Sequence, residues 1–210
     1  LVITHPDDDH MGSLASLDGV VQVDRVLLAR DGLACSCASC AKLQQHAETL
    51  VGKNRVEGLS QGDKFQLGAF EFTCVWPVAF QDEGGNGDSL CFTVDADIDG
   101  DGNREWRSLL VGDAEHEEVS QMLSAGLIDG VDVYKVGHHG SKNALTQDQA
   151  AALSPQVSLC SVGARNRYGH PAASTVESLE RAGSAVMRTE EDGDVRCRFA
   201  KDHISVETLR

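Results

Sequence analysis

Long apolar runs are missing from this chain. A membrane-crossing helix needs roughly 20 predominantly apolar residues in a row, and no run approaches that, so the chain is expected to be a soluble piece. Positive charge is also scarce. Lys and Arg number 18 against 33 Asp and Glu, for a net charge of −15. A uniformly acidic surface repels nucleic acid and anionic membranes. It does not exclude an anionic substrate, because carboxylates that ligate cations change the local sign of charge. Internal repeats and low-complexity linkers are absent too. The chain opens in mid-strand and not on Met, which predicts a piece of something longer, whose first residues carry no targeting information.

What is present is enough for one substantial core: 210 residues with 41% hydrophobic content. The expectation is a single domain over residues 1–210, with a Cys-bearing loop at 33–40. Short strand candidates fill the first half, at 25–29, 54–59, 64–67, 70–76, 89–95 and 106–111. Helical patterns cover 11–21 and 41–51. The second half alternates: helix 114–124, strand 131–136, helix 146–153, strand 157–162, helix 174–182, strand 185–188. Strands 195–199 and 204–208 follow. Ser174 and Glu177 have capping-box spacing. This order predicts an α/β domain with sheets sandwiched by helices.

The apolar run Leu1-Val2-Ile3-Thr4 ends in His5-Pro-Asp7-Asp8-Asp9-His10. So many imidazoles and carboxylates in a short stretch repel and resist desolvation unless a cation sits among them. In an extended loop His5, Asp7 and Asp9 point to one side, and His10 turns in as a helix begins. The alternative is a solvated loop in which Asp8 and Asp9 cap that helix. Further polar groups fall at ends of predicted strands, where loops converge. Asp113, after Leu-Val-Gly, is expected to cap the next helix. Lys135-Val-Gly-His138-His139-Gly-Ser141 sets adjacent histidines between glycines, and histidines so placed shuttle protons or bind metal. Arg165-Asn-Arg167-Tyr-Gly-His170-Pro combines cations with a His held between Gly and Pro. Asn86-Gly-Asp88-Ser89 forms an acidic loop.

Two other patterns are decoys. Gly58-Leu-Ser60-Gln-Gly62 has the G-x-S-x-G form, but a nucleophile elbow needs a helix after it and a strand pattern follows. Asp95-Ala-Asp97-Ile-Asp99-Gly-Asp101 resembles a calcium loop without the carboxylate at its twelfth position, and a hairpin turn explains it better. Cys35-Ser-Cys37-Ala-Ser-Cys40 could hold a metal or form a disulfide. A closed zinc site needs a fourth ligand, and only His46 is near, so a local disulfide or free thiols is the expectation.

In their order, the segments around His5–His10, Asp113, His138–His139 and His170 resemble the metallo-β-lactamase superfamily. Within it they are most similar to the nuclease-like domain of the ComEC branch of DNA-internalisation proteins. Asp7 stands where the superfamily more often has His, a change that branch shares. The resemblance implies an αββα metallo-β-lactamase-like sandwich, here without its N-terminal strands, and two divalent metal ions, Zn or Mn. His5 and Asp7 would hold the first metal; Asp9, His10 and His170 the second; Asp113 would bridge. The third ligand usual for the first metal has no His to supply it, and Asn86, Asp88 or a water would stand in. Paired cations activate water and clamp the oxygens of an in-line displacement, which suits a phosphodiester. The catalytic groups would be His139 or His138 as proton donor, with Asp9. Ser141, Lys142, Arg165 and Arg167 would bind substrate. The implied function is a nuclease acting on single-stranded DNA in uptake, tied to a bacterial inner membrane only through a parent chain. The alternatives are hydrolysis of a small ester, such as a phosphocholine ester or lactone, and a non-catalytic metal-binding domain.

Overall fold

A computed structural model describes residues 1–209. They divide into two compact units: residues 1–63 with 74–91, and residues 64–73 with 92 onward.

In the first unit, Pro6 and Asp7 lead into a short helix, α1 (Asp8–Met11), and a 3₁₀ turn follows at Leu14–Leu17. The single helix expected over 11–21 is therefore broken. Gly12 and the polar residues after it do not sustain i→i+4 bonding. Asp8 and Asp9 lie in the first turn, and Asp7 holds the cap position without a side-chain cap bond. Next come β1 (Val26–Ala29), α2 (Arg30–Ala34), α3 (Ala38–Val51) and β2 (Val56–Leu59). β1 and β2 pair in parallel, and Val2 bridges Leu27. Ile3, Met11, Leu14, Val26, Leu28, Leu43 and Ala47 form the core. Each fully buried aliphatic side chain there contributes roughly 1.5–3 kcal/mol. That core anchors the strand end from which His5 emerges.

The second unit holds most of a seven-stranded mixed sheet. Its strands are β3 (Lys64–Leu67), β4 (Phe70–Trp76), β5 (Cys91–Ala96), β6 (Trp106–Leu110), β7 (Val133–Lys135), β8 (Val157–Cys160) and β9 (Ala185–Arg188), adjacent in that order. β3 begins two residues after Gly62, so no nucleophile elbow forms. β5 and β6 are antiparallel; β6, β7, β8 and β9 are parallel. Parallel neighbours need long crossovers, and these contain α4 (His116–Ser124), α5 (Gln147–Leu153) and α6 (Ala173–Arg181). The short α7 (Thr189–Asp192) leads into a hairpin, β10 (Asp194–Phe199) with β11 (Ile204–Leu209).

Two cap expectations are corrected. Glu115, not Asp113, occupies the cap of α4, and its backbone N–H donates to Glu118 Oε2 at 2.9 Å. α6 starts after Ala172 with no side-chain cap, so Ser174 and Glu177 form no capping box. Two aspartates of the β5–β6 turn organise their own loop, while Asp99 pairs with Lys201. Asp97 accepts from the N–H groups of Gly100 and Gly102, and Asp101 from that of Asn103.

Candidate metal centre

Three neighbouring parallel strands of the second unit deliver the polar groups. Asp113 follows β6, the His138–His139 pair follows β7, and the His170 loop follows β8. Groups at the carboxyl ends of adjacent parallel strands converge.

Local backbone geometry explains the sequence around the histidines. Both lie in the left-handed region, with φ of 44° at His138 and 55° at His139. That conformation disfavours a side chain by roughly 1–2 kcal/mol per residue, and such strain persists where surrounding structure over-determines it. The flanking glycines supply the room. A Cβ on Gly137 would lie 2.2 Å from the Ala114 carbonyl oxygen, and one on Gly140 would lie 2.7 Å from Pro171 Cβ.

Hydrogen bonds set each ring. His139 Nδ1 lies 2.7 Å from the Ser161 carbonyl oxygen. A carbonyl only accepts, so Nδ1 carries the hydrogen and Nε2 is the acceptor. His139 Nε2 lies 3.6 Å from Asp113 Oδ2. His138 Nδ1 sits 2.7 Å from Glu115 Oε1, and its Nε2 is 3.9 Å from Asp113 Oδ2. Ser141 Oγ donates to the same Glu115 oxygen at 2.8 Å. Asp113 is buried.

His170 is clamped by Asn166, which accepts from its backbone N–H at 2.9 Å and donates to its carbonyl at 2.8 Å. Its ring stands 5.7 Å from that of His138 and stacks on Tyr168. Burial lowers its pKa, aided by His138 and His139 and opposed by Asp113 and Glu115. Burial also holds Lys135 below the ordinary lysine range, and Asp113 opposes that shift. Lys142, Arg165 and Arg167 are exposed.

The first unit carries its own His/Asp set. His5 is buried and His10 half-buried, with ring centroids 4.2 Å apart. Thr4 Oγ1 lies 3.0 Å from His5 Nδ1 and 3.4 Å from His10 Nδ1; Ser89 Oγ lies 3.2 Å from His5 Nδ1. His5 Nε2 is 3.7 Å from Asp7 Oδ2, and His10 Nε2 is 3.8 Å from Asp9 Oδ2. Asp8 points elsewhere, to Lys42 at 2.9 Å.

These four imidazole–carboxylate separations exceed hydrogen-bond length. They match the roughly 3–4 Å edge between two ligands of one ion with bonds of about 2.0–2.2 Å. A set of His nitrogens and carboxylate oxygens suits Zn²⁺ and Mn²⁺ alike. Nδ1 atoms held by a carbonyl, a carboxylate and hydroxyls are the usual supports of metal-binding histidines. The residues present therefore fit divalent metal ions.

Asp88 serves a different purpose. It is fully buried; Oδ1 accepts from Gln81 N at 2.7 Å, and Oδ2 from Asp82 N and Gly84 N at 2.9 Å. That carboxylate organises the 81–84 loop, with both oxygens engaged by backbone N–H groups. The positioning roles of Glu115, Thr4 and Ser89 escaped sequence reasoning. Their one signal was adjacency: Glu115 lies two residues after Asp113, Thr4 beside His5, and Ser89 at the end of the acidic loop.

No family model matches the chain. Over 199 residues it is 29% identical to ComE operon protein 3 of Bacillus subtilis, covering 95% of this chain and 24% of that protein. It is 26% identical over 211 residues to Recombination protein 2 of Haemophilus influenzae, covering 100% of this chain and 23% of that protein. The chain thus spans about a quarter of the length of these curated relatives. Among solved structures it is similar to CmlA, a diiron beta-hydroxylase from Streptomyces venezuelae, with a TM-score of 0.57 and 14% identity over the whole of this chain and 44% of that one. A mutant of the same enzyme matches with the same TM-score at 13% identity. The fold is metallo-β-lactamase-like. Among the described residues, no helix is long and apolar enough to cross a membrane.

Proposed function

We propose that this chain is a binuclear metal-dependent phosphodiesterase that cleaves single-stranded DNA. The observation that carries the reading is the recurrence of imidazole–carboxylate pairs at 3.6–3.8 Å in both units. The relatives named for a ComE operon and for recombination support DNA as the substrate. Their greater length supports a place within a longer parent protein. The ligands are His5, Asp7, Asp9, His10, Asp113 and His170. His139 joins them, because its Nδ1 hydrogen is committed to a carbonyl and its Nε2 faces Asp113.

Bound metal ions would supply Lewis acidity and lower the pKa of water toward neutrality. The remaining roles belong to side chains. His138 is the proton donor to the leaving oxygen, with its ring held by Glu115, so that Nε2 is the presented atom. Ser141 fixes Glu115 and acts as a positioning residue. Arg165, Arg167 and Lys142 are exposed cations suited to phosphates flanking the scissile bond.

The test is hydrolysis by the purified protein with Mn²⁺ or Zn²⁺ added back, on single-stranded DNA and on a small chromogenic phosphodiester. Metal-dependent cleavage of DNA, abolished by Asp113→Ala, is the expected result. Cleavage of small esters alone would move the assignment to a small-ester hydrolase. A metal that raises the melting temperature without any turnover would make the centre structural.

A further inference from the structure

A second cluster of ligand-type side chains lies wholly within the first unit, apart from every residue used above. Cys35, Cys37 and Cys40 carry free thiols, and their sulfur atoms lie within 4.8 Å of one another. Local structure builds this group. Cys37 occupies the cap of the 14-residue helix α3, and its sulfur accepts from Cys40 N at 3.3 Å. The Cys35 sulfur accepts from Cys37 N at 3.4 Å. Amide hydrogens directed at sulfur, at a helix N-terminus, favour the thiolate form that metals bind.

The facing loop completes the arrangement. The backbone of Glu83 is left-handed, with φ of 48°. Its carbonyl oxygen lies 3.9, 3.1 and 3.7 Å from the sulfurs of Cys35, Cys37 and Cys40. A carbonyl has two lone pairs and cannot accept fully from three thiols. The distances instead suit a coordination shell. With Zn–S of about 2.3 Å and Zn–O of about 2.1 Å, the S···O edge of a tetrahedron is about 3.6 Å. Gly84 makes the approach feasible, because a Cβ there would lie 2.6 Å from Cys40 Sγ. Asp88 holds the loop from behind. A cavity of about 360 Å³, lined by Asp31, Ala34, Cys35, Phe80, Gln81 and Glu83, gives an entry path.

The geometry points to a thiolate metal site in which Cys35, Cys37, Cys40 and the Glu83 carbonyl bind one thiophilic d¹⁰ cation, Zn²⁺ or a like ion. The carbonyl takes the fourth position, for which the sequence offers only His46 nearby; His46 is not among the converging side chains. On binding, three S–H bonds are exchanged for three S–metal bonds and three protons pass to solvent, with no change of oxidation state. The ion ties the start of α3 to the 81–84 loop.

Cadmium titration of the reduced protein tests this, because sulfur-to-cadmium charge-transfer absorbance reports thiolate ligands and ignores a His/Asp centre. The expected result is a band saturating at one equivalent, bleached by excess Zn²⁺ and lost in Cys35→Ser and Cys37→Ser, while Asp113-dependent hydrolysis persists. Gly84→Ala is expected to weaken cadmium binding at least tenfold. In zinc-loaded protein the three cysteines should alkylate at least tenfold more slowly than in chelated protein, a comparison that needs no variant. Absence of the band, or equal alkylation with and without zinc, would overturn the site. Unchanged cadmium affinity in Gly84→Ala would remove the Glu83 carbonyl from it.

Discussion

His138 Nδ1 and Glu115 Oε1 lie 2.7 Å apart, which ties the histidine loop after β7 to the cap of α4. The contact fixes which nitrogen of His138 is presented. Glu115→Gln keeps the size and removes the charge. Loss of a group that orients a metal-site histidine typically lowers activity by about 10–100-fold. That loss is expected in kcat, with KM within about twofold and a melting temperature within a few degrees of the parent. A fall in stability alone, with kcat unchanged, would make the contact merely structural.

Gly137 has no space for a side chain, since its Cβ would press on the Ala114 carbonyl. Gly137→Ala is expected to destabilise the protein by about 1–3 kcal/mol, as overpacking does. Chemical denaturation followed by circular dichroism measures it. A change below about 0.5 kcal/mol would show that the loop relaxes freely.

Asp88 distinguishes a loop-organising carboxylate from a ligand. Asp88→Ala leaves buried N–H groups without their acceptor and is expected to lower stability by about 3 kcal/mol or more. Asp88→Asn keeps one acceptor oxygen and should cost less. Metal bound per folded Asp88→Asn chain, read by elemental analysis, should equal that of the parent; a drop of one equivalent would return Asp88 to the ligand set.

Arg165 and Arg167 lie on an exposed turn. Replacing both with Ala should raise KM for single-stranded DNA several-fold and leave the small chromogenic diester unaffected. Each lost phosphate contact also reduces the slope of log affinity against log salt by about 0.7. Equal effects on both substrates would place these arginines in the chemistry and not in DNA binding.

Alkaline stability follows from buried thiols. Burial pushes Cys74 up to about 12 and Cys160 up to about 11. An unfolded chain releases these protons from roughly pH 8.5. Between the two limits the folded state binds more protons, so stability falls as pH rises. The contribution is full below about pH 8.5 and is lost as pH climbs through the folded values. Melting temperature should therefore drop between pH 9 and 11, and Cys74→Ala with Cys160→Ala should flatten that decline.

The sequence by itself determined which residue types cluster and where. His5 to His10, Asp113 and the His138–His139 pair stand at ends of apolar runs and His170 in the loop after one, and strand ends are where a sheet presents side chains. The alternation after β6 also announced parallel strands, since only crossovers with helices join them. What the sequence left open was direction. A carboxylate near a helix start reads as a cap whether it is Asp113 or Glu115, because capping tolerates a shift of two residues. Only the turn at Gly112, with φ of 56°, sends Asp113 inward and leaves the cap to Glu115. Asp88 read as a spare ligand until the loop folded back over it. The three cysteines read as a site short of one ligand, because a backbone carbonyl has no sequence signature. Glu83 supplies that oxygen only because tertiary structure brings its loop, 43 residues from Cys40, against the start of α3.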